Sequence, residues 1–139
     1  MSSDLEKQLA DALHGIYRRL DLVQDELLQL SPKELTFLLI VEDLGECRVK
    51  DLAAKVNLPL STVSWTADKM VTKGYISRRP DPTDRRAIIL KLAKQGEKAL
   101  GKHREIFDNI AAMVVANLPE DEATTAVNLI RRVYEFFQV

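Results

Sequence analysis

The stretch that decides the fold reads YISRRPDPTDRRAIILKL and occupies residues 75–92. Residues 75–79 have the composition of a strand, and residues 87–92 are rich in Ile and Leu, which favours a returning strand. Two prolines and two aspartates in residues 80–84 favour a turn between them. The stretch therefore predicts a β-hairpin that carries several arginines.

Two short helices are predicted immediately before this hairpin. The apolar spacing predicts the first over residues 50–56, ended by Asn57 in a left-handed conformation, and the second over residues 60–73. Two helices joined by a turn of about four residues form a helix-turn-helix, and a basic hairpin that follows them is a wing. Further upstream, Ser31-Pro32-Lys33-Glu34 has the pattern of a capping box that begins another helix.

Long amphipathic helices are predicted at both ends of the chain. They cover residues 4–29, residues 94–118 and a last segment that begins at Pro119. The apolar positions of the first are Leu5, Leu9, Leu13, Ile16, Leu20, Val23, Leu27 and Leu30, and those of the last are Ala123, Val127, Ile130, Tyr134 and Phe137. A small winged-helix body cannot cover this much apolar surface, so we expect it to be buried between two subunits. The alternative is one antiparallel helical layer inside a monomer.

Charge is distributed unevenly along the 139 residues, although the formal net charge is only −1. Residues 48–98 contain 12 Lys and Arg against 5 Asp and Glu, a balance of +7, and the rest of the chain carries −8. A concentrated basic segment supplies the field that attracts nucleic-acid phosphates. The alternative from charge alone is a solvated basic face without a partner.

The composition excludes several classes of protein. Hydrophobic residues make up 46% and charged residues 29%, which excludes a disordered or collagen-like chain. No apolar run approaches the roughly 18 residues that a membrane span needs, so no membrane partner is predicted. The N-terminus lacks a charged-then-apolar leader, and the single Cys47 cannot form an internal disulfide. We therefore expect a cytoplasmic protein.

Catalytic and metal-binding patterns are missing from the sequence. His14 and His103 are far apart, and no Cys/His spacing suits zinc. There is no glycine-rich phosphate loop and no nucleophile elbow. We predict a protein that is not an enzyme and that needs neither a metal nor a cofactor. Cys47 is expected to be a small buried thiol.

Residues 30–100 resemble the MarR (multiple antibiotic resistance regulator) family of winged helix-turn-helix transcriptional regulators. The resemblance lies in an ordered series of motifs: VKDLA at 49–53, STVS at 61–64, MVTKGYI at 70–76 and RPDPTDRR at 79–86. It implies a mainly α-helical winged helix-turn-helix with a small β-hairpin wing. It also implies a homodimer that binds palindromic double-stranded DNA, and in many relatives a small anionic or phenolic ligand or cysteine oxidation lowers the affinity for DNA.

The resemblance and the helix pattern together divide the chain by role. Residues 1–30 form an N-terminal dimerisation helix, residues 31–93 the DNA-binding region, and residues 94–139 the C-terminal helices that complete the dimerisation region. We therefore expect a homodimeric, sequence-specific regulator, a repressor released by a small ligand. The alternative is a winged-helix protein-interaction module that has lost specific DNA binding and uses Trp65 as an exposed anchor.

A helical wheel sorts the residues of the second short helix into two faces. Val63, Ala67 and Met70 lie on the core side, whereas Ser61, Trp65 and Lys69 lie on the opposite side. Hydroxyl side chains can bind phosphates or base edges, and a lysine binds phosphates. The predicted DNA-binding residues are Ser61, Thr62, Ser64, Trp65 and Lys69 in the helix, and Asp84, Arg85 and Arg86 in the wing.

Two positions depart from the family pattern. Trp65 stands where an arginine is common, which removes a bidentate reader of guanine. Pro59-Leu60 stands where a polar cap and a polar contact residue are usual. Both departures leave the operator sequence open.

The resemblance also assigns roles within the wing. One arginine enters the minor groove, with Arg86 the better match, and Asp84 braces it or its neighbour. A narrow minor groove rich in A·T pairs concentrates negative potential, which attracts a guanidinium. The alternative is that Arg85 and Arg86 form surface ion pairs with Asp81 and Asp84.

A ligand pocket is implied where the first helix, the second helix and the start of the fifth meet near the dimer axis. His14, Tyr17 and Arg18 are the candidate lining residues, and they can equally pack or face solvent.

Overall fold

The structure is a computed structural model that describes residues 2–138, without the side chains of residues 2, 24, 25 and 27; Leu27 of the predicted apolar series is therefore outside the description. The described chain forms six helices and three strands. They are α1 (Ser2–Leu28), α2 (Pro32–Leu44), β1 (Cys47–Arg48), α3 (Val49–Val56), α4 (Leu60–Thr72), β2 (Ile76–Pro80), β3 (Ile88–Leu92), α5 (Lys94–Asn117) and α6 (Glu120–Glu135). The predicted mainly α-helical winged-helix fold with a β-hairpin is confirmed.

The helices begin and end within one or two residues of the predicted bounds, and two local signals act as predicted. The capping box of α2 is present, because Ser31 Oγ accepts a bond from Glu34 N at 3.1 Å and Glu34 Oε1 accepts one from Ser31 N at 3.2 Å. Asn57 ends α3 with a φ of 55°, the left-handed conformation that asparagine tolerates. Helix α4 begins after Pro59, which provides no side-chain cap.

The three strands form one antiparallel sheet in the order β1-β3-β2. Strands β2 and β3 are the predicted hairpin, with Ile76 opposite Leu92 and Pro80 opposite Ile88. Strand β1 was not predicted, because two residues are too short for an alternating pattern to be visible. It adds Cys47, which is buried, opposite Leu90.

The core of the winged-helix body joins α2, α3 and α4 to the sheet. Its largest fully buried side chains come from all of these elements and from the first part of α5: Leu38, Val41, Leu52, Val63, Met70, Ile76, Leu90 and Leu100. This core holds the outer face of α4 and the wing on a rigid base.

The chain divides into two compact units, one ending at His103 and the other beginning at Arg104. The three-part division by role, at residues 30 and 93, remains a prediction. In the part of the chain that the structure describes, no helix is long and apolar enough to cross a membrane.

The terminal helices leave many large apolar side chains exposed. In α1 these are Leu5, Leu9, Leu13, Ile16, Tyr17 and Leu22, and in α6 they are Val127, Leu129, Ile130, Val133 and Tyr134. Folded monomers rarely expose apolar stripes of this extent, which are typical of surfaces that bury against a partner.

Candidate nucleic-acid interface

The exposed face of α4 carries all five residues that the sequence predicted for it. Val63, Ala67 and Met70 are buried on the inner face. Ser61, Thr62, Ser64, Trp65 and Lys69 are all exposed. This outer face presents three hydroxyl groups, an indole and an ammonium group, which together can bind phosphates, base edges and sugars.

An ion pair fixes the carboxyl end of α4 against the start of α2. Lys73 Nζ donates to Glu34 Oε2 at 3.0 Å, and Glu34 is also the acceptor of the α2 capping box. Burial opposes ionisation of Glu34, but bonds from Lys73 and Ser31 outweigh it and lower the pKa of this carboxyl. The carboxyl end of α4 is thus held against α2 by an ion pair as well as by core packing.

Trp65 is the largest side chain on the outer face of α4, and 67% of it is exposed. The Nζ atom of Lys69 lies 5.6 Å from the centroid of its ring, which is cation–π distance. Trp65 also borders a groove of about 650 Å³ whose other walls come from α2, α3 and the turn after α3. The Trp65 indole therefore exposes apolar surface that a binding partner can contact, and the ammonium group of Lys69 lies beside that surface.

Backbone bonds within the wing loop order the residues that precede Ile88. Asp84 Oδ1 accepts a bond from Arg86 N at 3.0 Å, and Asp84 O accepts one from Ala87 N at 3.0 Å. Asp84 therefore holds the backbone of Arg86, and its role in bracing an arginine in the minor groove stays a prediction. Arg85 and Arg86 are both exposed, and neither side chain forms an ion pair within residues 2–138.

Asp81 is buried, and its partner is Arg48 rather than an arginine of the wing. Its carboxylate also accepts bonds from Thr83 N and Thr83 Oγ1, both at 2.9 Å. These two bonds, with the contribution of Arg48, lower the pKa of Asp81 to about 2. The alternative in which Arg85 and Arg86 form ion pairs with Asp81 and Asp84 is not found among the described residues: Arg48 and Thr83 engage Asp81, and the backbone of Arg86 engages Asp84.

Four ion pairs engage basic residues of the +7 segment. Arg48 pairs with Asp81, Lys73 with Glu34, Arg78 with Asp68, and Arg79 with Glu46. The pairs neutralise basic residues of the sheet and of the α4 end. Lys69, Arg85 and Arg86 of the same segment form none of these ion pairs. Their positive charges therefore remain available on α4 and on the wing.

Lys50 is a residue of this surface that sequence reasoning missed. It is exposed in the first turn of α3 and, with Ser64 and Arg86, lines a cleft of about 310 Å³ between the helix-turn-helix and the wing. Its membership in the basic segment was the only signal in the sequence, and twelve residues share that signal. Only the fold brings it to the same cleft as Arg86.

Three other predicted positions lie elsewhere. His14, Tyr17 and Arg18 are exposed on α1, and neither groove described above includes them. Cys47 is buried, and burial together with nearby Asp51 raises the pKa of its thiol, as expected for an unreactive packing residue.

Comparison with known proteins agrees with this geometry. The MarR family profile matches residues 30–88, from just before α2 to the start of β3. The HTH-type transcriptional regulator YdgJ of Bacillus subtilis is 22% identical over 127 residues, which cover 91% of this chain and 77% of YdgJ.

Two solved structures have the same fold. YusO of Bacillus subtilis superposes with a TM-score of 0.81 at 22% identity and covers 97% of this chain and 98% of its own. FabT of Streptococcus pneumoniae, solved in complex with DNA, gives a TM-score of 0.77 at 19% identity, covering 95% and 96%.

The comparisons also bear on the class of function. The matched family and YdgJ are transcriptional regulators, so the prediction that the chain is not an enzyme is confirmed. The wing sequence, the winged-helix fold and the family profile over residues 30–88 all agree: the chain is similar to the MarR family of winged helix-turn-helix transcriptional regulators.

Proposed function

We propose that this chain is a homodimeric, sequence-specific DNA-binding regulator that reads the major groove with α4 and the minor groove with the wing. The observation that carries the proposal is the set of unpaired cations around one cleft. Lys50 and Arg86 line the cleft, and Ser64 joins them from the outer face of α4. FabT was solved with DNA, which supports DNA as the partner of a chain with this fold.

The geometry suggests a division of labour between helix and wing. An α-helix fits the major groove, where the hydroxyl groups of α4 can contact bases and phosphates. The guanidinium of Arg86 can enter the adjacent minor groove, since no carboxylate among the described residues holds it. Lys50, between the two, is suited to the phosphates of the intervening backbone.

A dimer would place two such units on one palindromic operator. The exposed apolar residues of α1 and α6 support a two-fold interface, because water would otherwise contact them. Two recognition helices then enter successive major grooves, and the half-sites lie roughly 10–10.5 base pairs apart, centre to centre. Chromosomal DNA as partner agrees with the cytoplasmic compartment expected from the sequence.

The unpaired cations should contribute to DNA binding in different ways, and each contribution can be measured separately. Arg86→Ala should weaken binding most at operators with A·T-rich flanks, because the narrow minor groove there attracts the guanidinium. Lys69→Ala should weaken all sequences alike and reduce the salt slope by about one unit, because it removes one phosphate contact. Titration of labelled operators at several salt concentrations, by fluorescence anisotropy, measures both effects.

A matched control is Arg79→Gln, which removes one positive charge from a residue already paired with Glu46. It should change neither flank preference nor salt slope. If wild-type protein binds no duplex in a pool of random sequences at low salt, the DNA-binding proposal is wrong and the protein-interaction alternative gains support.

Trp65 should contribute to affinity through apolar contact. The indole has one donor and no acceptor, so it cannot replace a bidentate arginine, but it can lie against sugars or thymine methyl groups. Trp65→Ala should weaken specific binding by about tenfold, whereas Trp65→Phe should retain most of it. The melting temperature should change little because the side chain is exposed. A large loss of stability with unchanged DNA affinity would show that Trp65 is a structural residue.

We further propose that the regulator is a repressor and that a small anionic or phenolic ligand releases it from DNA. The family resemblance supports this ligand class. On α1, His14 supplies an imidazole, Tyr17 a phenol and Arg18 a cation. Calorimetric titration of the dimer with aromatic carboxylates should give a saturable heat that Arg18→Ala reduces. A wild-type titration without heat would contradict the proposal for this ligand class.

A further inference from the structure

An ion pair joins the base of the wing to the residue that immediately precedes α3. Arg48 ends β1 and directly precedes α3, and its guanidinium contacts Asp81 Oδ2 where the wing loop leaves β2. The other carboxylate oxygen of Asp81 accepts both bonds from Thr83. We call the Arg48–Asp81 contact the wing-base ion pair.

This pair is far less exposed than the other ion pairs of the sheet. The Asp81 side chain is 5% exposed and that of Arg48 33%, whereas both side chains of Arg79–Glu46 are about half exposed, at 47% and 48%. Exposed pairs contribute little, but removing one partner of a buried pair leaves an uncompensated charge. The wing-base ion pair is thus the charged contact of the sheet whose loss has structural consequences.

Hydrogen bonds within the wing loop connect Asp81 to the backbone of Arg86 and Ala87. Asp81 N donates to Ala87 O at 3.0 Å, which closes the loop, and Asp84 binds the backbone of Arg86 within it. These hydrogen bonds connect the base of the loop at Asp81 to the backbone of Arg86. Arg48 and Arg86 also line the same cleft with Ser64 of α4, so Arg48 lies at the cleft between the two elements that would contact DNA.

We propose that Arg48 and Asp81 are positioning residues, which hold the wing at a fixed orientation to α4 so that Arg86 reaches the minor groove while α4 occupies the major groove. The DNA part of this inference rests on the function proposed above. A loop already held in its bound orientation loses less conformational entropy on binding, so the ion pair raises affinity without touching DNA.

The first test needs no DNA. Amide hydrogen exchange, followed by NMR, reports on the closed loop through Arg86 N and Ala87 N, both of which donate within it. Arg48→Gln should raise their exchange rates at least about tenfold while core amides in α4 remain protected. Arg48→Lys should restore much of the protection. Arg79→Gln, with the same loss of charge on the same sheet, should leave the rates unchanged. Unchanged wing exchange in Arg48→Gln would overturn the positioning role.

The second test asks whether Arg48 acts through Arg86. Arg48→Gln should reduce the preference for A·T-rich over G·C-rich flanks as much as Arg86→Ala does, by about tenfold. The double variant should bind like Arg86→Ala alone. An additive loss in the double variant would mean that Arg48 contacts DNA itself, and would overturn the positioning role. Failure of wild-type protein to bind any duplex would instead overturn the proposed function, and the exchange experiment would still decide whether the pair orders the wing.

Discussion

Gly96→Ala should destabilise the protein by about 3 kcal/mol, although alanine is the better helix former. Gly96 is buried in the first turn of α5, and a Cβ there would lie 2.2 Å from Tyr75 O and 3.1 Å from Leu92 Cδ2. The nearest atom is a backbone carbonyl that accepts a bond from Ala93 N at 2.9 Å, so it cannot move without breaking the junction between β3 and α5. The expected fall in melting temperature is roughly 10 °C.

Gly101→Ala is the matched control for this prediction. Gly101 lies on the exposed side of the same helix, and a Cβ placed there meets no described heavy atom within 4 Å beyond its chain neighbours and the adjacent backbone of α5. This substitution should therefore stabilise the helix by about 1 kcal/mol. Thermal unfolding of both variants at one protein concentration measures the difference. A Gly96→Ala protein as stable as Gly101→Ala would refute the steric argument.

The same pair of glycines shows where sequence reasoning stops. From the sequence, Gly96 and Gly101 have the same effect, a small loss of helix propensity relative to alanine. The structure separates them because only one lies against a backbone carbonyl of another element. Contacts of this kind depend on tertiary packing, which leaves no local pattern in the chain.

The elements themselves were predictable where the signal is local and repeated. The capping box at Ser31, the left-handed Asn57 and the proline-rich turn of the wing each act within a few residues, and the structure confirms them. Strand β1 escaped prediction because its formation depends on pairing with β3, far along the chain.

In the candidate interface, too, the features set by local sequence were predictable and those set by tertiary packing were not. Helical periodicity placed the side chains of α4 on the correct faces, since one turn of helix determines which residues point outward. The pairing of charges was not predictable, and nothing in the sequence indicated that Arg48 is the partner of Asp81. Arg48 and Asp81 meet only because the sheet brings β1 beside the wing. Lys50 was missed for the same reason.

Ile130→Asp should convert the proposed dimer to a monomer or an aggregate and lower operator affinity by more than about 100-fold. Ile130 is 66% exposed on α6, in a series of exposed apolar residues with Val127 and Tyr134. If this series meets its symmetry mate, the substitution places two unpaired carboxylates in an apolar interface, which costs several kcal/mol. Without the dimer each half-site is bound separately, and the gain from two linked contacts is lost.

Asn128→Asp is the control, because it adds the same side chain to α6 about 160° away around the helix. It should leave both the oligomeric state and operator affinity unchanged. Light scattering coupled to size-exclusion chromatography, at several micromolar concentrations, distinguishes the species. A wild-type protein that stays monomeric over this range would contradict the proposed interface, and the apolar faces of α1 and α6 would then have to be buried by another partner. An Ile130→Asp protein that remains dimeric would show that two-fold contact is made elsewhere, because an interface through Ile130 cannot accept two buried charges without loss of affinity between subunits.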